Sequence, residues 1–367
     1  MTHKYLPACL LLLTPISLLA QGPAAGPDPA VLSRLLQRHR PHAAAFEFAA
    51  IGDQQYGADG ERRWPSLQNS INTSGVAITV HIGDIKSGST LCNNAMFANR
   101  LEAFNNFEMP IMITPGDNEW TDCHRENNGS FDSLERLEYL RATFYRDNQS
   151  LGKRKMTVSR QSEDPRYSKY VENQMWSMGN VLFGMVHIVG SNNNLGRNAA
   201  NDREWKERSD ANFNWIKTIY SVARDNDFAA IVLMMQNNPG WNGEPVLVAE
   251  TEDGSRESLF LMEDETIVFG KPVLTIMGDS HTFRIDKPIL GAKTGRPLEN
   301  FTRLEVPGSS QVHWVRVRVD PARRQIFGFE LEYLPENFAA HTRPEGSLEP
   351  EPSRARRQAF LSSSRLF

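Results

Sequence analysis

The stretch VAITVHIGD, residues 76–84, is an apolar, β-branched run that halts on a glycine and delivers an aspartate. Three further stretches repeat the pattern: FEFAAIGD (46–53), PIMITPGD (110–117) and PVLTIMGD (272–279). Short apolar runs bounded by turn signals read as strands of a buried sheet. A strand that stops at Gly-Asp brings a carboxylate to the sheet edge on a turn tight enough to need glycine. In open α/β sheets the ligand crevice lies at the carboxyl ends of the strands. Asp53, Asp84, Asp117 and Asp279 gathered at one such edge repel each other unless a cation sits among them. The pattern therefore points to a metal site, for more than one ion.

Working outward, the runs 181–189 and 229–235 read as strands of the same kind. Helical patterns separate them at 62–72, 93–107, 133–145 and 203–223, the last with Asn201 or Asp202 as N-cap. Near the end, His313, Val315, Val317 and Val319 alternate with Trp314, Arg316 and Arg318. That is a half-buried strand, turned by Asp320 and Pro321 into a second one at 325–333. Alternating β and α with a closing antiparallel portion predicts an α/β layered fold, two packed mixed β-sheets flanked by helices.

The chain has 367 residues, enough for a large core, and a formal net charge of −4 with no basic stripe, which argues against nucleic acid as a partner. Lys4 followed by an apolar run at 6–20 reads as a secretory signal, too short to span a bilayer. The expected organisation is a signal at 1–20, a linker at 21–43 carrying one short helix (29–40), a domain at 44–338 and a disordered tail at 339–367. Export to the periplasm or beyond follows, with no stable membrane span after cleavage. Cys9 leaves with the signal, and the remaining pair, Cys92 and Cys123, suggests one disulfide between the loops after two neighbouring strands.

The strand-end loops, in order, are Gly52-Asp53-Gln54-Gln55, Gly83-Asp84 through Gly88, Gly116-Asp117-Asn118-Glu119, Gln236-Asn237-Asn238 and Gly278-Asp279-Ser280-His281. This series resembles the calcineurin-like metallophosphoesterases over roughly residues 46–320, in motif order, placement and spacing. The resemblance implies metal ligands at Asp53, Asp84, Asp117, Asp279 and His281, with Asp84 bridging two ions. It implies a catalytic role for Asp84 and for Asn118, which stands where the family has a histidine that assists the leaving group. Gln55, Lys86, Glu119, Asn237, Asn238 and His313 are expected around that set; Gln55 and one of the two asparagines stand at family histidine positions.

Carboxylates and amides thus replace imidazoles. Such a donor set suits Mn, Mg or Ca better than Zn, with Fe compatible, as one or two divalent ions. The implied activity is hydrolysis of a small phosphorylated substrate, a phosphomonoester or phosphodiester, by a metal-activated water. The histidine losses also admit a second reading, a catalytically degenerate module that binds or scaffolds in the periplasm. Lys86 is the one cation embedded among these loops and could take a metal's place. His81 and His187 read as core histidines, and His313 as core or a late contributor to the site. Arg284 and Lys287 read as surface charge. Residues 191–194 are expected to line the rim, while 149–173 and 240–263 match no pattern.

Overall fold

A computed structural model describes residues 26–42, 44–239, 253–290 and 295–334. The expected signal and tail lie outside the described residues. The strands are β1 (Phe46–Ile51), β2 (Ile78–His81), β3 (Ile111–Ile113), β4 (Ser159–Arg160), β5 (Gln174–Met178), β6 (Val181–Met185), β7 (Ala230–Met234), β8 (Val273–Met277), β9 (Arg284–Asp286), β10 (Phe301–Glu305), β11 (Trp314–Val319) and β12 (Phe327–Glu332). The helices are α1 (Pro29–Arg38), α2 (Gly57–Asn72), α3 (Asn94–Asn105), α4 (Ser133–Phe144), the single turn α5 (Gly190–Asn193), α6 (Ala199–Asp225) and α7 (Arg256–Phe269).

Two sheets result. One has the order β12-β11-β1-β2-β3 and the other β4-β5-β6-β7-β8-β10-β9. In the first, β1, β2 and β3 are parallel and β11 returns antiparallel beside β1. In the second, β6, β7, β8 and β10 are parallel, flanked by antiparallel β5 and β9. These are the two packed mixed sheets flanked by helices that the motifs implied.

Side-chain alternation explains the layering. Phe48 and Ala50 of β1 join Val232 and Met234 of β7 in the core between the sheets. Their neighbours Ala49 and Ile51 face the opposite way, onto Trp64, Phe97 and Leu140 of α2, α3 and α4. Ile231 and Leu233 of β7 pack outward under α6 and α7. Strands buried on both faces are uniformly apolar, which is why these runs were visible in the sequence.

Differences from expectation have local causes. Asn198, not Asn201 or Asp202, caps α6, its side chain accepting from Ala200 N at 2.9 Å and Asn201 N at 3.1 Å. The helix expected inside the linker is docked on the domain: Asp28 caps α1, and Val31 and Leu35 are buried against α6. Cys92 and Cys123 do form a disulfide, joining the loops after β2 and β3.

Candidate metal and phosphate site

The parallel strands of both sheets end at one edge, and their loops converge there. Donor oxygens of Asp84, Asp117 and Asp279, from the loops after β2, β3 and β8, lie within 4.8 Å of one another. Asp53 sits beside them: the backbone N–H of Asp279 donates to both its carboxylate oxygens, at 3.1 and 3.2 Å. His281 Nε2 is 3.5 Å from Asp53 Oδ1. The Nδ1–H of His281 donates to the Ser309 carbonyl at 2.6 Å, which leaves Nε2 facing the carboxylates. The five residues named as ligands from the sequence are therefore neighbours.

The backbone is forced into this arrangement. Among the described residues, eleven non-glycine residues have positive φ, and nine of them lie on these loops: Asp53, Gln55, Asp84, Ser191, Asn192, Asn193, Asn194, Asp279 and His281. Each such residue costs on the order of 1 kcal/mol or more, and strain of this kind collects at functional sites. Gly190 shows how tightly the loops close. A Cβ there would lie 2.7 Å from Asp279 Oδ1 and 2.9 Å from Asp117 Oδ2.

The electrostatics are those of a crowded acidic cluster. Burial pushes Asp84 well above the usual carboxylate range, and Asp117, Glu119, Asp53 and Asp279 push it further. Asp279 is raised well above that range by burial, then by Asp117 and Asp53. Burial also raises Asp53 against the opposing pull of His281. Glu119 is pushed up to about 7, chiefly by burial. Burial pulls His281 down, but Asp53, the Ser309 carbonyl and Asp279 outweigh it and hold the imidazole above its ordinary value.

Lys86 makes its hydrogen bonds away from the clustered carboxylates. It is fully buried, and its Nζ donates to Ser87 O at 3.0 Å and Asn128 Oδ1 at 3.2 Å. Among the described residues it makes no ion pair within 4.0 Å. Burial lowers it to about 8, opposed by Glu119 and Asp84.

The donor set fits a divalent cation. Three carboxylates at this separation can share one ion, given metal–oxygen distances of about 2.0–2.6 Å. Gln55 Oε1, at a position where the family has a metal-binding histidine, is buried with no hydrogen-bond partner. Glu119 Oε1 accepts from Gly116 N at 2.5 Å, while its Oε2 is likewise buried and unpartnered. Orphaned buried oxygens beside protonation-prone carboxylates are what such a site looks like before a cation satisfies them.

Asn118 Nδ2 donates to Asp84 Oδ2 at 2.7 Å, and its backbone N–H to Asp84 Oδ1 at 3.1 Å. Tyr56, which the sequence did not single out, donates its hydroxyl to Asp84 Oδ2 at 2.8 Å and accepts from Asn118 Nδ2 at 2.8 Å. Gln236 was also missed. Its Nε2 reaches Asp117 Oδ1 at 3.2 Å and Asp279 Oδ1 at 3.0 Å, while its Oε1 accepts from Gly190 N. It touches the carboxylates where Asn237 or Asn238 was expected. Asn237 instead donates to Ser255, and Asn238 to Ser280 and Glu305.

Ser191 is the member of the 191–194 run that faces the site. Its Oγ lies 2.8 Å from both Asp117 Oδ2 and Asp122 Oδ1. One hydroxyl carries one proton, so the second contact requires a proton on a carboxyl. Burial and then Asp117 raise Asp122 to about 6. Asn192, Asn193 and Asn194 are spent on Gly254, Arg208 and Glu204. Elsewhere, His81 and His187 are core histidines, lowered by burial to about 3 and about 4. His313 accepts from Leu334 N and packs on Tyr333, contacts that belong to the end of the described chain. Arg284 pairs with Glu305, and Lys287 bonds Thr302.

No family model matches the chain, and no curated protein matches it by sequence. Solved structures similar to it include GAP50, the anchor in the inner membrane complex of Plasmodium, at 13% identity and TM-score 0.44, covering 84% of this chain and 98% of that one. PhoD is similar at 13% identity and TM-score 0.49, covering 81% of this chain and 67% of its own. A 5'-nucleotidase from Candida albicans is similar at 10% identity and TM-score 0.43, covering 89% and 58%. At these identities the likeness is one of chain architecture alone, and the chemistry rests on the residues described above.

Proposed function

We propose that this chain is an exported, divalent-metal-dependent phosphoesterase that hydrolyses a phosphomonoester or phosphodiester. The observation that supports the reading is the convergence of Asp84, Asp117 and Asp279 from three strand ends, with no Lys or Arg ion pair to them among the described residues. Asp53 and His281 would complete the ligand set, with Asp84 between the ions. A bound divalent ion supplies Lewis acidity toward phosphoryl oxygens and acidifies water. The chain's own residues do the rest. Asn118 and Tyr56 orient Asp84, their amide and hydroxyl hydrogens being committed to it and to each other. Gln236 holds Asp117 and Asp279 at a fixed separation. Glu119 fixes the Gly116 turn from which Asp117 projects. Export is supported by the signal-like start and by the disulfide, and among the described residues no helix is long and apolar enough to cross a membrane.

The test is direct. The purified chain is analysed for bound metals by mass spectrometry and assayed with aryl phosphate mono- and diesters in added Mn. Hydrolysis that disappears in Asp84→Asn is the expected result. A metal-free, inert protein would instead mark the binding or scaffold module.

A further inference from the structure

We infer that Arg125 recognises the substrate's phosphate and makes the preferred substrate a dianionic phosphomonoester rather than a diester. This rests on the phosphoesterase reading and deepens it. Arg125 lies between two short 3₁₀ turns, Thr121–His124 and Glu126–Asn128, whose neighbouring Cys123 is tied to Cys92. Its carbonyl accepts from Asn128 N at 3.0 Å and Ser130 N at 3.1 Å, which pins the backbone. The guanidinium is aimed by the site itself. Arg125 Nη1 pairs with Asp122 Oδ2 at 2.8 Å, and Nη2 is 3.5 Å from Ser191 Oγ. That hydroxyl contacts Asp117. The group is therefore two contacts from a proposed ligand, and its side chain is still 45% exposed.

Gly88 places it against Asn118. A Cβ at position 88 would lie 3.0 Å from Asn118 Oδ1 and 3.6 Å from Arg125 Nη1, so the two side chains flank one glycine. A guanidinium has five donors in a planar fork suited to phosphate, and the contacts named here leave N–H groups on the open side. The pocket beside it is lined with buried carboxylates, so an incoming dianion needs positive charge on the face away from the metals. Arg197 also approaches Asp122, at 3.9 Å, but its Nη1 is committed to Thr121 O and Ser133.

The chemistry then selects the substrate. A monoester has three non-bridging oxygens sharing two negative charges. With some of them on the metals, one remains for Arg125. In a diester that position is an alkylated ester oxygen, which brings the fork no negative charge, accepts only weakly and sets its carbon against the guanidinium.

Inorganic phosphate binding to the Mn-loaded full chain, measured by titration calorimetry, tests this without turnover. Arg125→Gln should weaken phosphate at least tenfold, and Arg125→Lys less, because it keeps the charge and loses the fork. Mn content should match the parent, unfolding should stay a single cooperative transition although Asp122 loses a partner, and diphenyl phosphate binding should change less than threefold. Unchanged phosphate affinity in Arg125→Gln, an equal loss for the diester, or no phosphate binding by the parent overturns the inference. Phosphate binding that depends on Arg125 in a protein that hydrolyses nothing would sink the hydrolase reading alone.

Discussion

Two clusters of buried charge in this molecule differ in one respect. Beneath the sheet edge, Glu172 is fully buried and wholly answered: Arg141 meets both its oxygens at 3.0 and 2.6 Å, and His187 Nδ1 meets one at 2.8 Å. Despite burial, Arg141 and then His187 hold its carboxyl well below the usual range. At the strand ends, Asp84, Asp117 and Asp279 are held close together with no Arg or Lys ion pair to them among the described residues, and Asp84 and Asp279 lie well above that range. The same chain thus builds a complete ion pair where a carboxylate is structural. Where no such partner is paired among the described residues, the three carboxylates could hold a cation from solution.

The largest effect that would sharpen this contrast is at the complete pair. Arg141→Met leaves Glu172 buried with a neutral imidazole as its remaining named partner. Removing one member of a buried pair costs about 3–5 kcal/mol. The urea midpoint should fall accordingly, with Mn binding intact in protein that remains folded. A loss under about 1 kcal/mol would mean that the two clusters are not different in kind.

Acidity separates the clusters next, because their linkage has opposite signs. Glu119 rises from 4.5 to about 7 and Asp122 from 3.8 to about 6, both chiefly through burial. Across that window the folded, metal-free chain holds protons that the unfolded chain has released, so the site's contribution is full below about pH 4 and lost as pH rises toward 7. Glu172 behaves in reverse: its contribution is present above about pH 4.5 and lost on acidification. For Glu119 alone the change is roughly 3 kcal/mol. Urea unfolding of EDTA-treated protein should therefore show stability falling between pH 5 and 7, and added Mn should flatten the slope by binding the folded state. A flat profile in EDTA breaks the contrast.

Legibility in the sequence followed the same division. β1 fills its apolar run at 46–51, and the other Gly-Asp strands are shorter than theirs by one or two residues at an end, because uniformly apolar runs are unambiguous. Charged and polar strands were hidden. In β10, Arg303 and Glu305 are fully buried, their partners Asp286 and Arg284 supplied by β9, which nothing local announces. β5 was masked by its polar start, although Gly179 and Asn180 are the two-residue turn of a β5–β6 hairpin. α7 fell partly in a stretch matching no pattern, since Phe260, Ile267 and Val268 are exposed and blur its apolar face. Within the site, the Gly-Asp residues were readable and their orienting partners were not. Gln236 had a usable signal, for it stands two residues past β7, as Asp53 does past β1 and Asp279 past β8. Asp122 had none, being a polar residue in a polar loop, whereas Ser191 lay in the 191–194 run expected at the rim.

The smallest effect tests the contrast from the incomplete side. Asp279 has φ 71°, a left-handed conformation that asparagine adopts at least as readily as aspartate. Its Oδ1 accepts from Gln236, and an asparagine carbonyl can accept the same bond. Asp279→Asn therefore keeps the backbone and the hydrogen bond while removing one of the crowded acids. At pH 7.5 without metal it should be more stable than the parent by about 1 kcal/mol, the order of a like-charge contact at close range with an effective dielectric well above that of dry protein. Added Mn should then stabilise it less than the parent, because a ligand has been exchanged for a neutral amide. If Asp279→Asn is destabilised in EDTA, the crowded acids are structural after all, and the strand-end cluster is no different from the one at Glu172.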